Sequence, residues 1–467
     1  MQKRIAHLLA FAALGAFLSG CGNYAPGRAL EVATGLVSHQ LCSAVFVSGL
    51  DPQEFYREGI APMVSPAGFL LSHKVDRERS EVTASFAGLV QSRAVYRAPL
   101  GCVLAHGSLP PPVVIGAGSA NASLLPPIAK HEVVQSADPS LKSALDRAFE
   151  EPDGAPHRWT KALVVVHNGH VLAERYAPGY GVDTPVAGWS ATKSAINALI
   201  GILVQQGRLK LTGPAPVSAW AASSDPRHAI SVDNLLRMTS GLDIGQSLTS
   251  SALSMFDPSA QMLFVEPDMA AFAQRAPVAA APGERWNYTD ANTLLLSRIV
   301  RDQAGGDAAS VHAFMHRELF DKLGMEHVTM ELDGAGTPIG SSHMFATARD
   351  WARLGLLYLN DGIVGGVRIL PQGWVDYSAT QTSGSEVFGY GAGFWTNRGA
   401  GAGAQRRVRG GMPADSFMAR GNLGQYVVII PSKRLVIARF GNSHTPGGDI
   451  DTMNRLVADV VAAVKDL

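Results

Sequence analysis

Residues 195–204, Ala-Ile-Asn-Ala-Leu-Ile-Gly-Ile-Leu-Val, are apolar almost all round when wound on a helix. A helix without a polar face has to be packed on every side, so the chain must fold around this segment. Ser190-Ala191-Thr192-Lys193 stands just before it. Residues i and i+3 share a helical face, which brings the Ser190 hydroxyl and the Lys193 amine within reach of one hydrogen bond. A serine hydroxyl is a poor nucleophile without an adjacent base. Burial in such a setting would desolvate Lys193, and desolvation or a neighbouring cation is what lowers an amine's pKa towards that of a base. Taken alone, the four residues read more simply as a helix N-cap serine followed by a surface lysine. The remainder of the chain has to decide.

The N-terminus reads as a targeting segment. Lys3 and Arg4 precede a short apolar core, Leu8 to Leu18, too short to span a bilayer. The core ends in Leu18-Ser19-Gly20-Cys21, which resembles a bacterial lipobox. That resemblance implies that residues 1–20 are a lipoprotein signal peptide and that Cys21 becomes the lipidated first residue. An ordinary cleaved signal peptide with Cys21 incidental is the alternative. No later stretch reads as a transmembrane span, so the expectation is a bacterial cell-envelope protein, periplasm-facing and held to a membrane by lipid. With Cys21 lipidated, Cys42 and Cys102 are left as a pair, and one disulfide is the default in an exported chain; two buried free thiols are the alternative. The formal net charge is zero and charged residues make up 17% of the chain, which argues against a nucleic-acid partner. The sequence does not indicate an oligomeric state.

Residues 21–108 read as a small N-terminal domain with strand-like patches at Ala44-Val45-Phe46-Val47 and Val82-Thr83-Ala84-Ser85-Phe86. Residues 109–139 read as a linker, because Pro110-Pro111-Pro112 and Gly116-Ala117-Gly118-Ser119-Ala120-Asn121 cannot build a core. From 140 to 467 the texture is that of one larger domain. Leu141 to Glu150 predicts a helix, and residues 162–167 and 170–175 predict two strands joined at Asn168-Gly169. The stretch from Val232 to Leu359 is mostly helical, strands return at 426–430 and 435–440, and Leu456 to Val464 is an amphipathic helix. The fold class that follows is α/β (α+β): an antiparallel sheet flanked by helices, with a mostly helical insert.

Two further stretches carry chemistry. Tyr288-Thr289-Asp290 follows a turn-rich entry from Pro282 to Asn287 and precedes the helix core Leu294-Leu295-Leu296. A tyrosine there can shuttle a proton, since a nearby ammonium favours its ionised form; the plainer reading is a packed tyrosine with its hydroxyl on backbone. Phe417-Met418-Ala419-Arg420-Gly421-Asn422-Leu423-Gly424-Gln425 is rich in small residues that admit close backbone approach. An N–H from this edge, with that of Ser190, would bind a developing oxyanion; the alternative is a glycine-rich hairpin turn. His312 and His316 have a metal-ligand spacing but lack the Glu of a zinc protease, and read as exposed helix residues. Gly399 to Gly403 reads as a flexible surface loop.

Together these stretches carry a resemblance. Trp189 to Ser194, Asn234 to Leu242, Pro282-Gly283 through Tyr288, Phe345 to Gly355, and Gly424-Gln425 with Pro431 are similar to the serine β-lactamase and penicillin-binding-protein superfamily. The similarity is to the class C-like branch that includes 6-aminohexanoate-dimer hydrolase and related esterases, and it covers about two-thirds of the chain. It implies a β-lactamase/transpeptidase-like fold and an acyl-enzyme on Ser190. Lys193 would accept the serine proton or tune the group that does, and Tyr288 would relay a proton to the leaving group. It further implies an oxyanion hole from Ser190 and a residue near Ala419, with Gly421, Asp290 and Asn422 at the substrate. No metal or organic cofactor is implied, and the partner is a small-molecule amide or ester. β-Lactamase or penicillin-binding activity is one rival, and a non-catalytic binding lipoprotein of the envelope is another. Two departures bear on this. Asp290 stands where the family has an Asn, and a carboxylate donates no hydrogen bond unless protonated; it could instead pair with Lys193 and hold it charged. The third motif lacks its cation, with Arg420 and Asn422 only nearby.

Overall fold

The computed structural model describes residues 26–107, 109, 113–115, 122–247 and 255–464. Residues 1–20 and Cys21, read as signal peptide and lipidation site, lie outside that set. The first element, α1 (Pro26–Cys42), runs directly into a wider helical turn at Ser43–Val47. Residues 44–47, expected as a strand, are therefore helical. A short apolar run has no period that separates buried strand from buried helix, and here it extends a helix already formed. The helical span Gly27–Val47 is also long and apolar enough to cross a membrane, which corrects the reading that nothing after Cys21 is. Of its apolar window, however, 78% is buried inside the protein. β1 (Leu71–Asp76), β2 (Glu81–Phe86), β3 (Val90–Tyr96) and β4 (Cys102–Leu104) follow as an antiparallel meander in that order. α1 packs on this sheet, and a disulfide joins Cys42 at its end to Cys102 in β4.

The larger sheet is built from both ends of the remaining chain. α2 (Pro139–Ala148) starts at Asp138, whose side chain accepts from the Ser140 and Leu141 amides. β5 (Thr160–His167) and β6 (His170–Tyr176) form a hairpin whose turn residues Asn168 and Gly169 both have positive φ, 50° and 85°, the geometry that matches strand twist. After β7 (Val186–Ala187) come α3 (Thr192–Gln205), α4 (Asp290–Ala304), β8 (Val328–Met330), β9 (Met344–Ala346) and α5 (Ala348–Leu359). The chain then returns through β10 (Trp395–Thr396), β11 (Phe417–Gly421), β12 (Gln425–Ile430), β13 (Leu435–Gly441) and α6 (Ile450–Val464). The six-stranded sheet has the order β10-β11-β12-β13-β5-β6, and every pairing is antiparallel. β7, β9 and β8 make a separate small sheet beside it.

Alternation along the strands sorts two cores. Leu163, Val165, Val428 and Ile437 pack with α2 and α6 on one face. Val164, Val427, Ile429 and Val436 face the other way, into the larger core that holds α3, α4 and α5. α5 lies directly on the sheet: a Cβ at Gly355 would stand 2.6 Å from Val436 Cγ1. α3 is buried from Thr192 through Leu203, as its all-round apolar sequence requires. Val32, Leu36 and Leu41 of α1 belong to the same continuous core as Ile196 and Leu199 of α3. The N-terminal elements and the helix that begins at Ser190 thus share one apolar interior.

Ile437, fully buried in the central strand β13, is a simple check on this architecture. Ile437→Ala should lower unfolding stability by about 2–5 kcal/mol, read as a fall in the denaturant midpoint at unchanged slope.

Candidate active site

β7 ends at Ala187 and the chain turns sharply into α3 through Gly188 and a short 3-10 turn, Trp189–Ala191. Trp189 has φ of +46°, a region where bulky residues are strained. Its surroundings hold it there. The Gly188 amide donates to the Met344 carbonyl at 2.9 Å. A Cβ at Gly188 would lie 2.2 Å from Trp351 Cζ2, so the turn is pressed flat against a core ring. Ser190 remains partly exposed, between the buried Trp189 and Ala191.

Lys193, one turn further, is buried with its ammonium fully engaged. Nζ donates to Ser190 Oγ at 2.9 Å, to Asp290 Oδ1 at 2.6 Å and to the Ser341 carbonyl at 3.0 Å. An ammonium has three N–H donors and no acceptor, so each N–H has its own partner. Burial, the largest single influence, pushes the Lys193 pKa down. The Asp290 carboxylate and then Tyr288 push it up, and the sum leaves it above the ordinary lysine value. Asp290 itself occupies the first turn of α4, where the helix dipole favours a negative charge. The carboxylate in place of the family's amide therefore pairs with Lys193 and keeps it charged.

Tyr288 lies beside this pair, with Lys193 Nζ 4.9 Å from its ring centroid. It belongs to an aromatic wall. Tyr390 and Trp395 pack on it at 5.4 and 5.1 Å between centroids, and Trp286 lies 6.3 Å away. Trp286 in turn meets Phe388 at 5.4 Å. The rim of the wall is apolar and open: Phe388 is 50% and Val387 69% exposed. One buried polar atom of the wall, Trp286 Nε1, has no hydrogen-bond partner among the described residues. Burial, then the neighbouring Tyr288, raises the Tyr390 pKa well above the usual phenol value, so it stays protonated.

The third stretch closes the site from the other side. A Cβ at Gly421 would stand 2.1 Å from the Gly188 carbonyl oxygen and 3.0 Å from Trp189 Cβ. The end of β11 thus abuts the Ser190 turn, and position 421 has no room for a side chain. Ala419 shares the inward face of β11 with Gly421, and Asn422 follows with a buried Nδ2 that has no partner among the described residues. Arg420 alternates to the opposite face. It lies over Trp395 and Tyr426 and donates to the Gly447 carbonyl.

Ser190, Lys193, Tyr288, Asp290 and the edge from Ala419 to Asn422 are thereby gathered in one place. The histidines read as exposed are only half-buried: His312 and His316 stack at 4.5 Å, and burial, then His316, lowers His312 to about 4. The stretch Gly399–Gly403 is also not a free loop, because Cβ atoms at Gly401 and Gly403 would collide with the backbone of Glu386 and Phe388. Its glycines let the rim carrying Phe388 lie close. The Ser341 carbonyl and the wall residue Tyr390 are not part of the site as the sequence indicates it. A backbone acceptor leaves no mark in sequence, and Trp286, Trp351 and Trp395 read from sequence as core or pocket wall alike; Trp351 is core, and the other two stand beside Tyr288.

A six-stranded antiparallel sheet flanked by helices, with a Ser-x-x-Lys pair at the start of a buried helix, defines the β-lactamase/transpeptidase-like class of fold. Residues 145–462 match the beta-lactamase family, and the chain belongs to that family of hydrolases. The 6-aminohexanoate-dimer hydrolase of Paenarthrobacter ureafaciens is 27% identical over 227 residues, which are 46% of this chain and 56% of that protein. The match thus spans little more than half the length of that relative. A solved structure of a proposed 6-aminohexanoate-dimer hydrolase from Bacillus anthracis has a TM-score of 0.57 at 22% identity, covering 75% of this chain and 91% of that one. A penicillin-binding-protein homologue from Caulobacter crescentus has a TM-score of 0.51 at 17% identity, covering 71% of this chain and all of its own. At these identities the two structures speak for the fold.

Asp290→Asn removes the carboxylate that opposes burial at Lys193. The Lys193 pKa should then fall below that of the parent, seen by following its 13Cε resonance through an alkaline titration. An unchanged titration would mean that Asp290 does not hold the charge.

Proposed function

We propose that this protein is a serine hydrolase that cleaves a small amide or ester through an acyl-enzyme on Ser190. The observation that carries the reading is the buried Lys193 ammonium directed at Ser190 Oγ at 2.9 Å. With its three N–H groups engaged, Lys193 is not the base in the resting site. Tyr288 acts as its phenolate, its own proton given up to solvent beside the Lys193 ammonium; it takes the proton from Ser190 Oγ as Oγ bonds to the substrate carbonyl carbon, and becomes a neutral phenol. Backbone N–H groups of Ser190 and of the Ala419–Asn422 edge receive the oxyanion. When the tetrahedral intermediate collapses, Tyr288 returns the proton to the departing amine or alkoxide. A water then gives its proton to Tyr288 and attacks the acyl carbon, releasing the acid and restoring Ser190.

The aromatic wall supports an apolar group on the substrate. Trp286, Phe388 and Trp395 offer flat surface beside Tyr288, and Trp286 Nε1, without a partner among the described residues, can donate to a substrate oxygen. Asp290 offers no amide N–H to a β-lactam carbonyl, which favours simple esters and amides over that rival. The reading of residues 1–21 as a lipoprotein signal supports a place on the periplasmic side of the bacterial envelope, anchored through Cys21.

Intact mass after treatment of residues 22–467 with a fluorophosphonate should show one adduct, absent from Ser190→Ala. A folded parent that takes no adduct would count against a hydrolase and favour a binding protein. On an aryl ester, Tyr288→Phe should lower kcat by roughly 10²–10⁴-fold. Trp286→Ala should raise KM for aryl esters more than for acetyl esters of small alcohols; an equal change for both would remove the wall from substrate selection.

A further inference from the structure

We propose that α1, which precedes the family match, is a working part of the catalytic centre: its residues His39 and Gln40 position the segment 341–344 that holds Lys193 and the Ser190 turn. This rests on the hydrolase reading above for its catalytic consequence, though not for its geometry. The segment 341–344 makes three contacts with the nucleophile region. The Ser341 carbonyl accepts from Lys193 Nζ at 3.0 Å. The Met344 amide donates to Thr192 Oγ1 at 3.3 Å. The Met344 carbonyl accepts from the Gly188 amide at 2.9 Å. These bonds place the ammonium and both ends of the Ser190 turn.

The side chain in the middle of that segment faces α1. His343 stacks on His39 of α1, with ring centroids 4.6 Å apart and planes at 19°. His343 Nε2 is 3.2 Å from Gln40 Nε2, and its Nδ1 is 2.7 Å from Ser342 Oγ. Burial, then His39, lowers the His343 pKa well below the usual value, so the ring is neutral and Nε2 can accept from the Gln40 amide. Glu331 closes the cluster. Its Oε1 accepts from Ser43 Oγ and from the Cys102 amide, both at 2.8 Å, and its Oε2 is 3.2 Å from His39 Nε2. The Glu331 amide in turn donates to the His343 carbonyl at 3.0 Å. His39, Gln40, Glu331 and His343 are each at most 4% exposed. The Cys42–Cys102 disulfide fixes α1 to β4 beside the same cluster. His39, Glu331 and His343 present ligand atoms within 4.8 Å of one another. His39 Nε2 faces the Cys102 carbonyl at 3.1 Å and both His343 nitrogens face partners, while Glu331 Oε2 and His39 Nδ1 have no hydrogen-bond partner among the described residues, so zinc content separates a hydrogen-bond network from a metal site.

These are positioning residues, since none touches the reacting atoms. A misplacement of about 1 Å from a remote change can cost on the order of 10²-fold in rate. The test is made on residues 22–467. His343→Leu removes the bonds to α1, while His343→Gln restores an acceptor where Nε2 stood. Expected for His343→Leu are a fall of about tenfold or more in kcat on an aryl ester with KM little changed, and a shifted Lys193 13Cε resonance. His343→Gln should recover most of both. Gln40→Leu, a milder change on α1 itself, should move the same two readouts in the same direction and serves if His343→Leu does not fold. Unchanged kcat per folded molecule and an unchanged Lys193 resonance in Gln40→Leu would overturn the proposal and leave α1 a structural cover. Stoichiometric zinc in the purified parent, lost in His343→Leu, would overturn it in favour of a metal site. A parent that takes no fluorophosphonate overturns the hydrolase reading, while the Lys193 resonance still decides whether α1 positions the segment.

Discussion

One buried ammonium orders the whole of this site. Lys193 sits at the start of α3 with almost no exposure, and its three N–H groups reach Ser190, Asp290 and the Ser341 carbonyl. Taking two ions out of water costs several kcal/mol for each, and removing one partner of such a pair leaves an uncompensated charge worth about 3–5 kcal/mol. α3, α4 and the segment before β9 therefore cannot slide past one another without leaving that charge short of an acceptor. The helix that every side of the core must surround is also the helix that fixes the nucleophile.

The strain at the Ser190 turn is borne by the same neighbours. Trp189 keeps a positive φ because Gly188 is pressed against Trp351 on one side and met by Gly421 on the other. Small residues at 188 and 421 are a steric requirement, since a Cβ at either would fall within 2.2 Å of a core atom. The closely packed surroundings let an exposed hydroxyl be held by a buried frame. The aromatic wall then supplies the open half of the site, where a substrate meets rings rather than charges.

Much of the fold was legible in residue patterns. The hairpin at Asn168-Gly169 follows from two positions that need positive φ, and the buried α3 from apolar residues on every helical face. The consequence of Asp290 was legible too, because a carboxylate near an amine favours the charged amine wherever they meet. Other features had no local signature. Residues 44–47 could be strand or helix by pattern and were settled by the buried helix they continue. Gly399–Gly403 looks free in sequence, yet two of its glycines exist to let the Phe388 rim approach. His312 and His316 lose exposure through packing that spacing does not encode.

Residue types along the chain set the chemistry available here: a serine and a lysine one turn apart, a tyrosine and a carboxylate further on, and a glycine-bearing edge. Residue type and short-range period carry that information, because hydroxyls, amines and carboxylates keep their character wherever they lie. How they act follows from the folded arrangement. The charge on Lys193 depends on a carboxylate 97 residues away, the turn at Trp189 on Trp351 of α5 and Gly421 of β11, and the Ser341 carbonyl on a backbone path tied to α1. Long-range contacts set these outcomes because burial, charge pairing and close approach depend on distance in space, which spacing along the chain does not report.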